Sequence, residues 1–189
     1  MALDKKIAVF LDRDGVINKE NGLIDKPDKL MLYNYAANAI SRLNKNFLVF
    51  VVTNQPVIAK GLCTEKELLK IHERLIYNLN LKNAKIDKIY YCPHHPTEGN
   101  SAFTKDCECR KPKPGMILQA AEEFGISLKD SFMVGDKTSD IKAGNLAGIG
   151  TTIMVKTGFG GNDGFNDAVS DYLAEDLNEA AKIILEARK

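Results

Sequence analysis

The sequence lacks the charge excess and the long apolar segments that mark several protein classes. Its 189 residues carry a formal net charge of +1, which gives no electrostatic footprint for nucleic acid or for an anionic membrane surface. No apolar run approaches the ~20 residues that cross a bilayer. Residues 1–6 are polar and lead directly into an apolar run, so we expect no signal peptide. We therefore expect a cytoplasmic monomer without a nucleic-acid or membrane partner.

The sequence also lacks internal repeats and linker segments, and its length suits one α/β domain over residues 1–189. Amphipathic helical stretches separate several of the apolar runs of strand length. This alternation predicts one Rossmann-like parallel sheet with helices on both faces. The runs of strand length are 7–11, 47–53, 86–91, 131–135 and 151–155.

The clearest predicted helix spans residues 64–81. Thr64 and Glu67 have the spacing of a capping box, and apolar residues recur behind them at helical spacing. Two further helices are predicted at 114–124, with a proline at its first position and a glycine after its end, and at 176–187.

The room between predicted elements is too small for a lid. Only 15 residues separate Asn18 from the helix predicted near Asn34, so we expect no large cap domain. The glycine-rich residues 158–164 lack the G-x-G-x-x-G spacing and follow a late strand, so they are interpreted as a loop. Cys63 and His72 are assigned to packing or, for the histidine, to the surface.

Two carboxylates follow the first predicted strand at its carboxyl end. Asp12 and Asp14 are one residue apart, and Gly15 then turns the chain. Ligands and chemistry of open α/β sheets gather at this edge, where one acid can act as a nucleophile and the other as an acid or base. An ordinary surface turn is the alternative interpretation.

A further carboxylate follows the fourth predicted strand. Asp136 would complete a cluster with Asp12 and Asp14, and Mg²⁺ favours a few carboxylates together with substrate phosphate oxygens. Asp140 either supports that site or lies in the first turn of a helix, where the helix dipole favours an acid.

Polar and cationic residues also lie at the ends of other predicted elements. Thr53, Asn54 and Gln55 end the second strand and have groups that hydrogen-bond phosphate oxygens, although the same residues are common in turns. Arg110 and Lys111 lie just before a proline and a helix start, where cations can meet an anion or remain solvated.

Three cysteines and a histidine lie together in the long irregular stretch that follows the third predicted strand. Cys92-x-His94 and Cys107-x-Cys109 offer a full tetrahedral ligand set for Zn²⁺, which leaves no open coordination position for catalysis. His95 is a competing ligand, but the matching spacing favours His94. We therefore predict a structural zinc loop at about residues 92–110.

Together these motifs resemble the haloacid dehalogenase-like (HAD) phosphatase superfamily over essentially the whole chain. The matching residues are Asp12-x-Asp14-Gly15, Thr53, Lys111 and Gly135-Asp136 with Asp140. The resemblance implies that Asp12 attacks the phosphoryl group and becomes an aspartyl phosphate, and that Asp14 is the acid and base. It implies that Thr53 and Lys111 hold the phosphoryl oxygens, and that Mg²⁺ is bound by Asp12, Asp136 and the backbone carbonyl of Asp14.

Longer motifs resemble the zinc-containing heptose bisphosphate phosphatase branch of that superfamily. They are residues 12–18, 53–55, 91–96 and 107–112. The resemblance implies removal of the 7-phosphate from D-glycero-D-manno-heptose 1,7-bisphosphate, in the synthesis of nucleotide-activated heptose for surface polysaccharide. The substrate contacts that it implies are Arg13, Glu20, Asn21, Gly22, Leu23, Asn54, Gln55, Pro56, Arg110 and Lys137.

One segment departs from that branch. Pro56 and Val57 stand where the branch usually has serine and glycine, so a backbone N–H and a flexible position are lost beside the expected sugar site. The departure bears on anomer preference and on substrate identity.

Three other functions compete with this one. Histidinol-phosphate phosphatases share the catalytic motifs, but have a shorter zinc loop and a different sequence after Thr-Asn-Gln. A nucleic-acid 3′-phosphatase would need a basic groove, and a zinc-stabilised binding module would have lost a catalytic residue. Neither feature occurs in this sequence.

Overall fold

In the computed structural model, residues 5–100, 102–165 and 167–188 are described, and they form one six-stranded sheet. Every strand pair is parallel, and the strand order is β3-β2-β1-β4-β5-β6. The strands are β1 (Ala8–Leu11), β2 (Leu48–Asn54), β3 (Lys88–Cys92), β4 (Phe132–Gly135), β5 (Thr151–Val155) and β6 (Tyr172–Ala174). The helices are α1 (Ala36–Leu43), α2 (Glu65–Asn80), α3 (Gly115–Phe124), α4 (Thr138–Ala147) and α5 (Leu177–Glu186). The predicted α/β class with a parallel sheet is confirmed.

Side chains of the central strand β1 alternate between two apolar cores. Val9 and Leu11 pack in the core that contains the buried faces of α1, α2 and α5. Ala8 and Phe10 pack in the smaller core with α3 and α4. Because successive side chains of a strand point to opposite faces, a strand covered on both sides is apolar at every position.

The three helices predicted at 64–81, 114–124 and 176–187 agree with the structure to within one residue at their starts. Thr64 and Glu67 form the expected capping box at the start of α2. Pro114 caps α3 instead of opening it, and Gly125 ends that helix at a φ of 68°. Asp176 caps α5 by accepting a hydrogen bond from the backbone N–H of Glu179.

The sequence did not predict strand β6, which has three residues and two exposed side chains. An edge strand this short produces no apolar run, and its position is fixed by pairing with β5 and by Asp171. The carboxylate of Asp171 accepts hydrogen bonds from the backbone N–H and the hydroxyl of Thr152.

The structure contains no cap domain within the described residues. The segment between β1 and α1 holds only a short 3₁₀ turn at Pro27–Lys29. None of the helices in the described part of the chain combines the length and the apolar character needed to cross a bilayer. Part of the polar segment 1–6 lies outside the described residues.

Candidate active site

The strand order brings the predicted catalytic side chains to one edge of the sheet. Strand β1 lies between β2 and β4, and all three strands are parallel. The residues at their carboxyl ends, Asp12, Thr53 and Asp136, therefore meet at the same edge. The order of strands reverses between β1 and β4, and such switch points are where open α/β sheets bind ligands.

Three buried carboxylates form a cluster at this edge. Asp12, Asp136 and Asp140 each place an oxygen within 4.8 Å of the others, and each is at most 4% exposed. The ammonium of Lys111 lies 2.9 Å from Asp12 Oδ1 and 2.6 Å from Asp140 Oδ1. The same ammonium donates to the carbonyl of Val52 at 2.7 Å. One buried cation therefore joins two of the three acids.

The electrostatics of this acid cluster favour a further cation. Burial, together with the carboxylates of Asp12 and Asp140, raises the pKa of Asp136. Burial alone would lower the pKa of Lys111, but Asp12 and Asp140 outweigh it and raise that pKa. Asp136 Oδ1 is buried without a hydrogen-bond partner among the residues that the structure describes. A buried, unpartnered carboxylate oxygen beside two other acids fits a small divalent cation.

Two glycines allow the chain to approach Asp136 closely. A Cβ on Gly15 would lie 2.2 Å from Asp136 Oδ2, and one on Gly158 would lie 2.1 Å from it. Both glycines have positive φ, at 80° and 66°. The backbone N–H of Phe159 donates to the same Oδ2 at 2.9 Å, so one oxygen of Asp136 is held by the loop while Oδ1 has no hydrogen-bond partner among the described residues.

Asp14 is held apart from the acid cluster by hydrogen-bond donors. Its carboxylate accepts from the guanidinium of Arg13 at 2.9–3.1 Å, from Asn18 at 2.9 Å and from Gln55 at 3.0 Å. Burial alone would raise the pKa of Asp14, but the Arg13 charge and these hydrogen bonds hold that pKa below its usual range. Asp14 is therefore a carboxylate in this arrangement.

The structure places Arg13, a predicted substrate contact, inside the protein. Its side chain is fully buried and does not line the cavity described below, because its donors are directed to Asp14 and to His72. His72 Nε2 lies 3.4 Å from Arg13 Nη1. Burial, with the Arg13 charge, lowers the pKa of His72 to about 3, so the imidazole is neutral. Arg13 therefore orients the Asp14 carboxylate through hydrogen bonds, and His72 contacts the Arg13 guanidinium at its remaining nitrogen, Nη1.

A cavity of about 560 Å³ opens above the acid cluster and contains most of the predicted site. Arg110 and Lys111 line it from the segment before α3. Thr53 is 1% exposed and is not among the residues that line the cavity, but its hydroxyl accepts a hydrogen bond from the lining residue Gln55. Asn21 lines a smaller adjacent recess instead. The other predicted residues that line the cavity are Asp12, Asp14, Glu20, Gly22, Leu23, Asn54, Gln55, Pro56 and Lys137.

Several cavity residues were not predicted from the sequence. Phe159, Asp163 and Phe165 come from the glycine-rich segment after β5, which was interpreted only as a loop. The available signal was its position, since it leaves a strand at the same edge as Asp12. The remaining unpredicted lining residues are Ile24, Pro112 and Ser139, and Asp140, for which the sequence left two interpretations open, also lines the cavity.

Lys137 links three segments across the cavity. Its ammonium lies 3.4 Å from the carboxylate of Glu20 and 4.4 Å from the ring centre of Phe159. Burial alone would lower the pKa of Lys137, but the nearby carboxylates, led by Asp12 and Asp136, outweigh it and raise that pKa. Lys137 is therefore a permanent cation at the cavity.

The predicted zinc ligands come together next to Arg110, which directly follows Cys109 in the chain. The sulfurs of Cys92, Cys107 and Cys109 and Nδ1 of His94 all lie within 4.8 Å of one another. His95 has another role, because its Nδ1 accepts hydrogen bonds from two backbone N–H groups of the following turn. Three sulfurs and one imidazole nitrogen fit the donor set of a structural zinc site.

The cysteine segment is tied to the cavity wall. Arg110 Nη1 donates to the carbonyl of His94 at 2.9 Å. The N–H of Asn100 donates to the carbonyl of Ala59 at 2.7 Å, and a Cβ on Gly99 would lie 2.0 Å from that carbonyl oxygen. The segment thus packs against the chain that follows Pro56.

Comparisons with known proteins agree with this site. Residues 108–180 match the family model described as HAD-hydrolase-like. The D-glycero-beta-D-manno-heptose-1,7-bisphosphate 7-phosphatase of Pasteurella multocida is 41% identical over 181 residues, which are 95% of this chain and 97% of the relative. The protein of the same name from Escherichia coli K12 is 41% identical over 152 residues, which are 80% of each chain.

A solved structure is similar over almost the whole chain. The D,D-heptose 1,7-bisphosphate phosphatase from B. bronchiseptica, complexed with magnesium and phosphate, superimposes with a TM-score of 0.83 and 31% identity. It covers 96% of this chain and 99% of its own. By its sequence, its fold and the residues at the sheet edge, this chain belongs to the heptose 1,7-bisphosphate 7-phosphatase family of HAD-like hydrolases.

Proposed function

We propose that this protein is a Mg²⁺-dependent phosphatase that removes the 7-phosphate of D-glycero-D-manno-heptose 1,7-bisphosphate. The observation that carries the proposal is the distribution of charge in the cavity. Asp12, Asp14 and Lys111 line the cavity, with the Lys111 ammonium 2.9 Å from Asp12, and two further cations, Arg110 and Lys137, also line it. A substrate with two phosphates can place one phosphate at Lys111 and the other at Arg110 and Lys137.

In the first step, a carboxylate oxygen of Asp12 attacks the phosphorus, and the bond from phosphorus to the ester oxygen breaks. Asp14 gives its proton to the leaving oxygen, so an alcohol and an aspartyl phosphate result. Asp14 must first gain that proton, since its donors favour the carboxylate. The approaching phosphate favours protonation because a second negative charge raises the pKa of a neighbouring acid.

In the second step, water attacks the phosphorus of the aspartyl phosphate. Asp14, now a carboxylate, takes a proton from the water, and the bond from phosphorus to the Asp12 oxygen breaks to release phosphate. The hydrogen bonds from Asn18 and Gln55 hold Asp14 in the form that this step needs.

Lys111 and Thr53 hold the phosphoryl oxygens where charge spreads in the transition state. Lys111 is fixed by Asp12, Asp140 and the carbonyl of Val52, so it is already oriented before substrate binds. The Thr53 hydroxyl accepts from Gln55, which leaves its own hydrogen available for a phosphoryl oxygen.

The residues that would hold Mg²⁺ are Asp12 and Asp136, with the backbone carbonyl of Asp14. When bound, the ion offsets the repulsion between a carboxylate nucleophile and an anionic phosphate. Asp140 supports this site through Lys111 and also opens α4, where its Oδ2 accepts the backbone N–H of Lys137. The two interpretations of Asp140 from the sequence are thus compatible.

Zn²⁺ bound by Cys92, His94, Cys107 and Cys109 would have a structural role. Four protein ligands complete a tetrahedral site, and the segment has few apolar residues of its own. The ion would fix the segment that presents Arg110 to the cavity. We also propose that residues 1–189 form a single domain.

We infer that the β anomer is the substrate. The family relatives from P. multocida and E. coli are named for it. Of the two departures, only Pro56 lines the cavity, while Val57 is fully buried in the larger core. The product would then serve the synthesis of nucleotide-activated heptose for surface polysaccharide.

The test is a side-by-side measurement of kcat/KM on both anomers of heptose 1,7-bisphosphate, heptose 7-phosphate and histidinol phosphate. The β bisphosphate should exceed the 7-monophosphate and histidinol phosphate by at least about tenfold, the effect of about 1.4 kcal/mol. Faster cleavage of histidinol phosphate would overturn the proposal. Equal rates on both anomers would overturn the anomer assignment alone.

A further inference from the structure

The segment after β5 presents two aromatic side chains to the cavity. We name residues 157–165 the aromatic loop. Phe159 is 40% exposed and Phe165 is 64% exposed, yet both line the cavity. None of the proposed chemistry uses either ring. An exposed aromatic ring at a cavity is a feature that requires an explanation, since burying it against a ligand is favourable.

The aromatic loop is held in place by the active-site edge. The carboxylate of Asp163 accepts the backbone N–H of Thr138 at 2.9 Å and its hydroxyl at 2.7 Å. The N–H of Gly161 donates to the carbonyl of Asp136 at 2.8 Å. These bonds fix the loop to the start of α4 and to a candidate metal ligand, so its rings are presented on a supported backbone.

The rings complement the rest of the cavity chemically. Its cations suit phosphates, whereas the carbon chain between two phosphates of a sugar offers C–H surface that cations do not bind. The other apolar side chains that line the cavity are Leu23, Ile24, Pro56 and Pro112. We propose that Phe159 and Phe165 form an aromatic wall that contacts the carbon skeleton of the phosphorylated sugar and selects it over small phosphate esters. This inference rests on the proposed function.

The two rings have different parts in this selection. The ammonium of Lys137 lies over the Phe159 ring at 4.4 Å, an arrangement that attracts a cation to the ring face. Phe159 is therefore also a positioning residue for Lys137 and, through it, for the second phosphate. Phe165 has no cation over its ring among the described residues, so its contribution is contact with carbon.

The first experiment compares kcat/KM for heptose 1,7-bisphosphate and for methyl phosphate in Phe165→Ala, Phe165→Leu and Phe165→Tyr. In Phe165→Ala the loss on the sugar should exceed the loss on methyl phosphate about tenfold. Phe165→Tyr should restore the wild-type ratio because it keeps the ring face. Leu146→Ala removes an exposed apolar side chain of α4 that does not line the cavity, and it should not change the ratio.

If Phe165→Ala and Phe165→Leu each lower kcat/KM equally for the sugar and for methyl phosphate, the aromatic wall is overturned. The ring would then have only a structural role. If the wild type prefers another phosphorylated sugar, the proposed function fails. The ratio of that sugar to methyl phosphate then still tests the wall. Far-UV circular dichroism and Tm establish that each variant is folded.

The second experiment separates Phe159 from Phe165 with the bisphosphate and the 7-monophosphate of heptose. Phe159→Leu should lose about tenfold more on the bisphosphate than on the monophosphate, mainly in KM, and Phe159→Tyr should restore it. Phe165→Ala should lose equally on both. Equal losses in Phe159→Leu would overturn the positioning of Lys137.

Discussion

Two clusters in this molecule could each bind a metal ion. The acid cluster consists of Asp12, Asp136 and Asp140, and the cysteine cluster consists of Cys92, His94, Cys107 and Cys109. Different parts of the fold bring their ligands together. Asp12 and Asp136 directly follow adjacent, fully buried strands, so the sheet itself sets their separation. Cys107 and Cys109 come from a long segment whose described residues form no helix or strand, although both side chains pack against the smaller core. The sheet thus places the acids, whereas an irregular segment places these two cysteines.

The ligands of the two clusters also differ in chemical type. The acid cluster offers hard oxygens, an oriented ammonium and an opening to a cavity, which suit a catalytic ion that is exchanged and shared with substrate. The cysteine cluster offers four soft or borderline donors and no open position. We propose that the acid cluster provides chemistry and that the cysteine cluster provides stability.

The largest effect is expected at the nucleophile. Asp12→Asn should lower kcat by at least about 10³-fold, because an amide cannot form the acyl phosphate. The fold should persist, since the asparagine has the same shape. Asp28→Asn, at an exposed position, is the matched control and should turn over normally. Steady-state kinetics with Mg²⁺ decide this, and near wild-type turnover in the Asp12 variant would rule out covalent catalysis.

The next effect concerns the cysteine cluster. Cys107→Ser should release zinc and lower the free energy of unfolding by about 3 kcal/mol, roughly 10 °C in Tm for a chain of this size. Cys63→Ala changes a buried cysteine outside the cluster, so its zinc content should stay at about one ion per chain, as a four-ligand site requires. Unchanged zinc content and Tm in Cys107→Ser would remove the structural site.

A smaller effect is expected at His72, on the pH dependence of the free energy of unfolding. Below its ordinary pKa of about 6.5, His72 takes up a proton in the unfolded chain but not in the folded one. The wild type should therefore lose about 2 kcal/mol of stability from this group between pH 7 and pH 5. His72→Gln should lose correspondingly less. Unfolding by urea at both pH values measures the difference, and identical pH dependence in the two proteins would contradict a neutral buried His72.

The smallest effect is expected at Arg110. Arg110→Ala should reduce the preference for the bisphosphate over the 7-monophosphate by about tenfold, because a guanidinium holds a remote phosphate bidentately. Lys105→Ala removes an exposed cation from the same segment outside the cavity and is the control. An unchanged preference in Arg110→Ala would exclude this residue from recognition of the second phosphate.

The sequence was sufficient to locate the candidate catalytic edge because Asp12 and Asp136 directly follow buried strands and Thr53 lies at the carboxyl end of another. Apolar runs identify such strands, and parallel pairing then brings Asp12, Thr53 and Asp136 together. The cysteine cluster was also predictable, since ligand spacing is a local property. Neither inference required knowledge of side-chain contacts.

The rest depends on contacts between residues that are distant in sequence. Nothing local shows that the Arg13 guanidinium turns inward to Asp14 and His72, or that residues 157–165 reach the cavity. Strand β6 was missed because edge pairing with β5, not an apolar pattern, fixes it. Tertiary packing therefore determines which residues surround the candidate site, while sequence patterns were sufficient to indicate the residues that we propose perform the chemistry.

The division between the two clusters is tested most directly by measuring metal content and activity together after dialysis against a mild chelator. The account predicts that about one zinc ion per chain remains, that activity is lost, and that Mg²⁺ alone restores it fully. If activity persists without Mg²⁺, if zinc is needed to restore it, or if the dialysed protein is folded and contains no zinc, the division is contradicted.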